Sequence, residues 1–121
     1  KKKKQGKEKK IMDFSALNLD WQDLALKRRD IHQHPEPGFE ENRTREVLIA
    51  HLIAAGAQAE NIKTMAKTGF IYDIVGTRQA VEGEKPLMIA LRSELDALVM
   101  EEANGELEYR SVNEGCAHAC G

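Results

Sequence analysis

The order of apolar and polar positions predicts a helix near the start of the chain. Four apolar residues recur there at near-helical spacing, namely Leu17, Trp21, Leu24 and Ile31. Asp20 offers a side-chain acceptor at the N-cap, and an acidic residue follows three positions later, as in a variant capping box. The pattern therefore predicts a helix over residues 20–33, which the proline- and glycine-containing turn at 35–38 ends.

A second helix is predicted to open with Glu40 and Glu41, whose charges suit the positive end of a helix dipole. Its apolar stripe recurs at helical spacing, with Thr44, Leu48, Leu52 and Ala55 widened by Val47, Ile49 and Ile53. Gly56 follows as the C-terminal stop.

Beyond this point the pattern is typical of strands. Residues 69–76 are rich in β-branched and aromatic side chains, and residues 86–91 form a short, continuous apolar run. The second run is predicted to be buried on both faces of a sheet, and the polar linker 77–85 permits antiparallel pairing without fixing it. Two helices followed by strands indicate an α/β or α+β layer structure with one open sheet. Residues 92–121 show little regular pattern and are predicted to be loops.

The charge balance narrows the classes of partner. The 121 residues have a formal net charge of -2, but residues 1–10 hold seven lysines and one glutamate, so the remainder is strongly acidic. Such a body repels phosphate, and we expect no nucleic-acid partner. No apolar run reaches the length of a membrane span, and no secretory pattern follows the basic start, so we expect no membrane partner and a cytoplasmic location.

The lysine-rich segment 1–11 has almost no apolar side chain, and it is predicted to be a disordered leader or tail. A nucleic-acid or membrane-surface arm is the alternative interpretation. A further hypothesis is that translation starts at Met12, because Lys, Glu and Gly have purine-only codons and the run before it could be an untranslated leader.

The cluster Cys116, His118 and Cys120 is the most concentrated set of candidate ligands. Thiolate and imidazole donors at alternate positions could converge on zinc or a similar ion, although a closed site needs a fourth ligand. A Cys/His catalytic pair and plain buried thiols are the alternatives.

Other candidate residues are charged or titratable. Arg92, Glu94 and Asp96 alternate after the apolar run, and they are expected either to project from the end of its strand toward a site or to form a solvated acidic loop. His32 and His34 cannot share a metal on a helix, since their rings would diverge, and His34 is predicted to cap the helix.

Four stretches, in order, resemble the amidohydrolase branch of the aminoacylase and carboxypeptidase type metallopeptidases, the group that contains hippurate hydrolase and the auxin-conjugate hydrolases. They are RRDIHQHPEPGFEENRT at 28–44, TGF at 68–70, IALRSELDAL at 89–98 and HACG at 118–121. The resemblance runs from about residue 20 to the end of the sequence. Val99 stands where the family commonly has proline.

The resemblance implies an α/β, zinc-peptidase-like catalytic domain in which two helices precede the strands of a mixed central sheet. It also implies two divalent metal ions, zinc or manganese, and a smaller inserted domain, absent here, that mediates homodimer formation. Residues 12–121 would be the truncated N-terminal portion of that catalytic domain. Members cleave the amide of N-acyl amino acids or related small compounds.

The resemblance also sorts the candidate residues. Cys120 corresponds to a metal ligand, whereas His118 precedes it as a non-ligand and Cys116 has no counterpart. The general base and the other ligands would follow Gly121, so no catalytic residue is expected in this chain. Glu94 and Asp96 would lie beside the metals without an individual role.

The expected function is that of an amidohydrolase fragment, inactive by itself and without stably bound metal. The alternative is a non-enzymatic interaction or regulatory module derived from the same fold. A small Cys/His zinc module is the third interpretation.

Overall fold

The computed structural model describes residues 19–77, 81–83, 85, 87–103 and 105–119. The two helices are α1, Trp21–Gln33, and α2, Asn42–Ala54. A short 3-10 helix, Ala59–Asn61, leads into strands β1, Ile62–Met65, and β2, Gly69–Tyr72. The predicted leader 1–11 and the proposed start at Met12 lie outside the described residues.

Helix α1 begins and ends as the sequence predicts. The Asp20 carboxylate accepts hydrogen bonds from the backbone nitrogens of Gln22 and Asp23, both at 3.0 Å. In a capping box, the acidic side chain three residues on would bond back to the N-cap amide. Here the Asp23 carboxylate pairs with Lys27 at 2.5 Å instead. His34 is the C-cap, and the helix stops there because a residue before proline is disfavoured in the helical conformation.

Helix α2 begins slightly later than predicted, with Glu41 as its N-cap and no capping bond from that side chain. Its end follows the prediction. Gly56 has a φ of 99°, its amide donates to the Ile53 carbonyl, and the Ala57 amide donates to the Leu52 carbonyl, both at 2.9 Å. These two bonds form a Schellman motif, which glycine favours because it adopts positive φ without strain.

The described sheet is a two-stranded antiparallel hairpin of β1 and β2, in which Ile62 pairs with Tyr72 and Met65 with Gly69. The predicted strand over residues 69–76 is therefore confirmed only as far as Tyr72. Strand β1 was not predicted from the sequence, because a four-residue segment shows too little alternation to be distinguished from a loop. The architecture is α/β-like, and the mixed central sheet remains an expectation.

The prediction of a doubly buried strand over residues 86–91 is wrong for the described residues 87–91. These residues form no strand, and Leu87, Met88, Ile89 and Leu91 are 78% to 97% exposed. A strand needs a neighbouring strand to bond its backbone, and among the described residues β2 pairs with β1 instead. Apolar composition alone cannot supply that partner.

The small core lies where the end of α1 meets the later loops. Its buried residues are Pro35, Thr44, Ala97, Cys116 and Ala117. Residues 92–119, where described, contain no helix or strand, as predicted. No helix in the described part of the chain has the length and apolarity that a membrane crossing requires.

Candidate functional site

A cavity of about 410 Å³ lies between α1, α2 and the loop over residues 93–98. It is lined by Arg28, Ile31, His32, Thr44, Leu48, Ser93, Glu94, Leu95, Asp96, Leu98 and His118. Residues from three of the four motif stretches therefore line the same cavity, although up to 90 residues separate them in sequence. This convergence makes the cavity the candidate functional site.

Backbone hydrogen bonds hold those stretches together. The Ala97 amide donates to the Glu36 carbonyl at 2.8 Å, and Pro37 and Ala97 form a parallel bridge. Leu98 and Ala117 exchange two backbone bonds of 2.9 and 3.0 Å in an antiparallel bridge. The loop with Asp96 is thus bonded on one side to the turn after α1 and on the other to the segment before His118.

The Glu36 side chain supplies the cap that Glu41 does not. Its two carboxylate oxygens accept from the backbone nitrogens of Arg43 at 3.0 Å and Thr44 at 2.7 Å. Burial would raise the pKa of Glu36, but these amide bonds and the nearby Arg43 charge hold the pKa below its usual value. A charged cap from the preceding turn therefore anchors the first turn of α2, which carries Thr44 into the cavity wall.

The TGF stretch is tied to the same helix end by one buried contact. The Thr68 hydroxyl donates a hydrogen bond to the Glu41 carboxylate, and both side chains are buried. Burial would raise the pKa of Glu41, yet the bond from Thr68 and nearby backbone amides hold it below its usual value. The fourth motif stretch thus supports α2 from outside the cavity.

His32 projects from the last turn of α1 toward the loop that follows residue 100. Its Nε2 lies 2.8 Å from a carboxylate oxygen of Glu102, and the two side chains are 16% and 11% exposed. The Ser111 amide donates to the other oxygen of Glu102 at 2.7 Å. That amide, and then the bond to His32, hold the pKa of Glu102 below its usual value. An ionised carboxylate only accepts, so Nε2 of His32 carries the proton.

Tyr109 packs beside this pair. Its ring meets the His32 ring edge-on with centroids 5.6 Å apart, and the guanidinium of Arg29 lies 4.8 Å from the Tyr109 centroid. Arg28 lies 5.8 Å from the same centroid. Cation–π contacts of this kind add to the attachment of the later loop to α1.

His118, the first residue of the HACG stretch, lines the cavity. Its Nε2 is buried and has no hydrogen-bond partner among the described residues, and its ring centroid lies 6.5 Å from that of His32. Burial, followed by the nearby His32, lowers the pKa of His118, and the Asp96 carboxylate partly opposes this. The result is a neutral imidazole near neutral pH, beside a carboxylate.

The other predicted site residues separate into distinct places. Arg92 is exposed and pairs with Glu94 at 3.1 Å, so of the three alternating charges only Glu94 and Asp96 line the cavity. No strand precedes them among the described residues, so the first of the two expectations, projection from a strand end, is not met, and the exposed Arg92–Glu94 pair agrees with the second, a solvated loop. The Nδ1 of His34 donates a hydrogen bond to the Asp30 carbonyl at 2.8 Å, and His34 caps α1, as predicted. His32 and His34 have separate partners, Glu102 and the Asp30 carbonyl, which agrees with the prediction that the two rings share no metal.

The cysteine cluster is described only in part. Cys116 is a free, buried thiol whose burial raises its pKa, which does not suit a nucleophile paired with histidine. Cys120, the predicted metal ligand, lies outside the described residues. Within the described part of the chain, no three His, Cys, Asp or Glu side chains come together as a metal site. The described residues therefore do not fit a metal ion by themselves.

Sequence reasoning missed Glu36, Glu102 and Asn113. Glu36 lies between two prolines just before a helix, and an acidic residue there is a weak cap signal. Glu102 and Asn113 lie in loops without periodicity, and only their tertiary contacts identify them. Asn113 Nδ2 donates to the Pro35 carbonyl at 2.7 Å across 78 residues of sequence.

Proteins similar to this chain include two bacterial deacetylases. N-acetyldiaminopimelate deacetylase of Brevibacillus brevis is 38% identical over 95 residues, and N-acetyl-L-cysteine deacetylase of Bacillus subtilis is 43% identical over 94 residues. The chain is a homologue of the aminoacylase-type amidohydrolases. Each alignment covers 78% of the chain but only 23% and 20% of those amidohydrolases, respectively.

A third similar protein has a different name. The putative glutamate–cysteine ligase 2-3 of Rhodococcus jostii is 41% identical over 106 residues, which are 88% of this chain and 12% of that protein. An overlap with 12% of a protein does not carry its named activity. No family model matches the chain. No solved structure matches it significantly either.

Proposed function

We propose that these residues are part of a metal-dependent amidohydrolase that cleaves the amide bond of N-acyl amino acids or related small compounds. The observation that carries the proposal is the similarity to two deacetylases whose names specify N-acetylated amino acids. The convergence of Arg28, Asp96 and His118 on one cavity supports it, because these residues come from separate motif stretches. The chain spans less than a quarter of the length of those relatives, so amide hydrolysis by the whole protein is a proposal.

Cys120 is the residue that we propose as a metal ligand, in a site for two zinc or manganese ions. Its support is the match of HACG to the family pattern, together with the position of His118, two residues earlier, at the cavity wall. Since the described residues hold no three-donor cluster, further ligands must come from elsewhere. We therefore expect the 121 residues alone to hold no metal stably and to be inactive.

The proposal is tested by comparing this chain with the longest in-frame product of its gene. Both are purified, supplied with zinc or manganese, and assayed for acetate release from N-acetyl-L-cysteine and N-acetyldiaminopimelate. We expect hydrolysis, abolished by a chelator, only from a product that continues past Gly121 into a His-Asp pair. Metal-dependent hydrolysis by the 121-residue chain would contradict the inactivity, and no hydrolysis by a longer product would contradict the function.

A non-enzymatic interaction module is the second candidate, and one observation favours it. The apolar run at Leu87, Met88, Ile89 and Leu91 is exposed, and such surfaces mark interaction sites or unsatisfied packing. Cooperative melting of the 121-residue chain as a monomer would favour this module. An insoluble or molten chain would favour a piece of the larger enzyme.

We also propose a cytoplasmic location and a homodimer formed through a domain outside these residues. The support for both is the family resemblance. Fractionation of cells that express the native gene and the mass of its purified product in solution test them directly.

A further inference from the structure

We propose that Glu102 is a positioning residue that sets the path of the segment leading to Cys120 by joining it to helix α1. The inference rests on the proposed function in one respect, namely that Cys120 is a metal ligand. The juxtaposition itself is independent of that role. Glu102 lies 70 residues after His32 in sequence, and its carboxylate bridges His32 to the Ser111 amide.

The two carboxylate oxygens of Glu102 have separate partners. Oε1 lies 2.8 Å from His32 Nε2, and Oε2 accepts from the Ser111 amide at 2.7 Å. Bonds to an ionised carboxylate are stronger than neutral ones, and this carboxylate is 11% exposed, which shields it from solvent. One side chain thus links the last turn of α1 to the start of the segment over residues 111–119.

Ser111 passes this restraint on to the next turn. Its hydroxyl lies 2.8 Å from the Cys116 carbonyl and 2.9 Å from the Asn113 carbonyl, and it accepts from the Asn113 amide at 3.1 Å. A hydroxyl has a single proton, so it donates to one of these two carbonyls at a time. The turn that precedes His118 is therefore organised around the residue that Glu102 holds.

Two further bonds attach the same turn to the end of α1. The Val112 amide donates to the Gln33 carbonyl at 2.9 Å, and Asn113 Nδ2 donates to the Pro35 carbonyl at 2.7 Å. Glu102 supplies the side-chain contact that aligns the turn with His32, so that His118 lies with its ring centroid 6.5 Å from the His32 ring. We infer that loss of the carboxylate releases Ser111 and lets the turn around Cys116 open.

The test measures access to the buried thiol of Cys116 in a Cys120→Ser background, so that one thiol reports. Labelling by 5,5′-dithiobis(2-nitrobenzoate) is compared for Glu102→Ala, Glu102→Gln and the control Glu108→Ala, whose parent side chain is exposed. We expect Glu102→Ala to label about tenfold faster or more, since it removes charge-assisted bonds from two partners. Glu108→Ala should label at the parent rate.

Glu102→Gln is expected to preserve the bridge between His32 and Ser111, because its amide oxygen can accept from the Ser111 amide while its NH₂ group donates to His32. This exchange requires the proton of His32 to move from Nε2 to Nδ1. The ring ¹⁵N shifts of His32 should report that tautomer change, which a merely structural role would not produce. We expect the labelling of Glu102→Gln to stay within about twofold of the parent.

Several results would overturn the proposal. Parental labelling in Glu102→Ala, equal acceleration in Glu108→Ala, or labelling of Glu102→Gln as fast as the alanine variant would each do so. If circular dichroism shows that Glu102→Ala does not fold, the glutamine variant decides: an unmoved His32 proton contradicts the bridge. All these readouts are independent of catalysis, so failure of the hydrolysis assay would refute the proposed function and leave this test intact.

Discussion

At the scale of single residues, three buried or partly buried carboxylates join separate segments of the chain through hydrogen bonds. Glu36 caps α2 through two backbone amides, Glu41 accepts from Thr68, and Glu102 bridges His32 and Ser111. Each has a pKa below its usual value, because hydrogen bonds to the ionised form outweigh the cost of burial. In a chain with 20 acidic residues, their contacts and not their number distinguish these three.

Replacing Glu36 with glutamine tests the helix cap. Only one oxygen would remain to accept from the Arg43 and Thr44 amides, so we expect a loss of about 1 to 2 kcal/mol in the free energy of unfolding at pH 7. Urea titration followed by circular dichroism measures it. Glu40→Gln, in an exposed neighbour, is the matched control and should change stability little.

The difference in stability between the parent and Glu36→Gln should depend on pH, and the direction of that dependence can be stated. The folded pKa of Glu36 lies below its ordinary value of 4.5, so its contribution is complete above pH 4.5 and is lost as the pH falls through the folded pKa. The difference between parent and Glu36→Gln should therefore shrink as the pH drops below 4.5. A difference that grows on acidification would contradict the cap.

At the scale of elements, local signals account for the helices but not for the hairpin. Asp20 caps α1 and Gly56 ends α2, as the sequence predicts, since both effects involve residues within a turn of the helix end. The β1–β2 hairpin differs, because the loop between its strands is strained. Ala66 and Lys67 have φ values of 47° and 70°, a left-handed conformation that side chains with a Cβ disfavour.

Lys67→Gly is predicted to stabilise the hairpin. Glycine removes the left-handed strain, and part of this gain is offset by its greater freedom in the unfolded chain, so we expect a net gain of about 0.5 kcal/mol. Thermal and urea unfolding measure it. Gln58→Gly, at an exposed loop residue with a φ of −88°, should be neutral or slightly destabilising. Equal effects of the two variants would show that strain at residue 67 is not the cause.

At the scale of the whole molecule, the described residues bury few large apolar side chains. Trp21, Val75 and the run from Leu87 to Leu91 are exposed, and α1 has no buried residue. The cavity at Asp96 and His118 is nonetheless assembled, because backbone bonds through Ala97, Leu98 and Ala117 hold its walls. The motif stretches thus meet without a large apolar core among the described residues.

The exposed apolar run is predicted to drive self-association. Met88→Lys with Leu91→Lys should reduce the mass seen by light scattering at high protein concentration, while unfolding in urea stays unchanged, because both side chains are more than 80% exposed. Leu26→Lys, on the exposed side of α1, is the control and should reduce association less. Unchanged scattering in the double variant would show that self-association uses a different surface.

The sequence predicts the two helices, the Asp20 cap of α1, the Gly56 end of α2, the loop character of the described residues between 92 and 119, and the motif stretches that indicate an amidohydrolase. These properties depend on neighbours in the chain or on residue identity. Two further features are visible only in the folded chain: residues 87–91 pair with no described strand, and Glu36, Glu102 and Asn113 hold the candidate site. A strand needs a partner and a loop carboxylate needs a donor, and periodicity specifies neither when the two groups lie up to 78 residues apart.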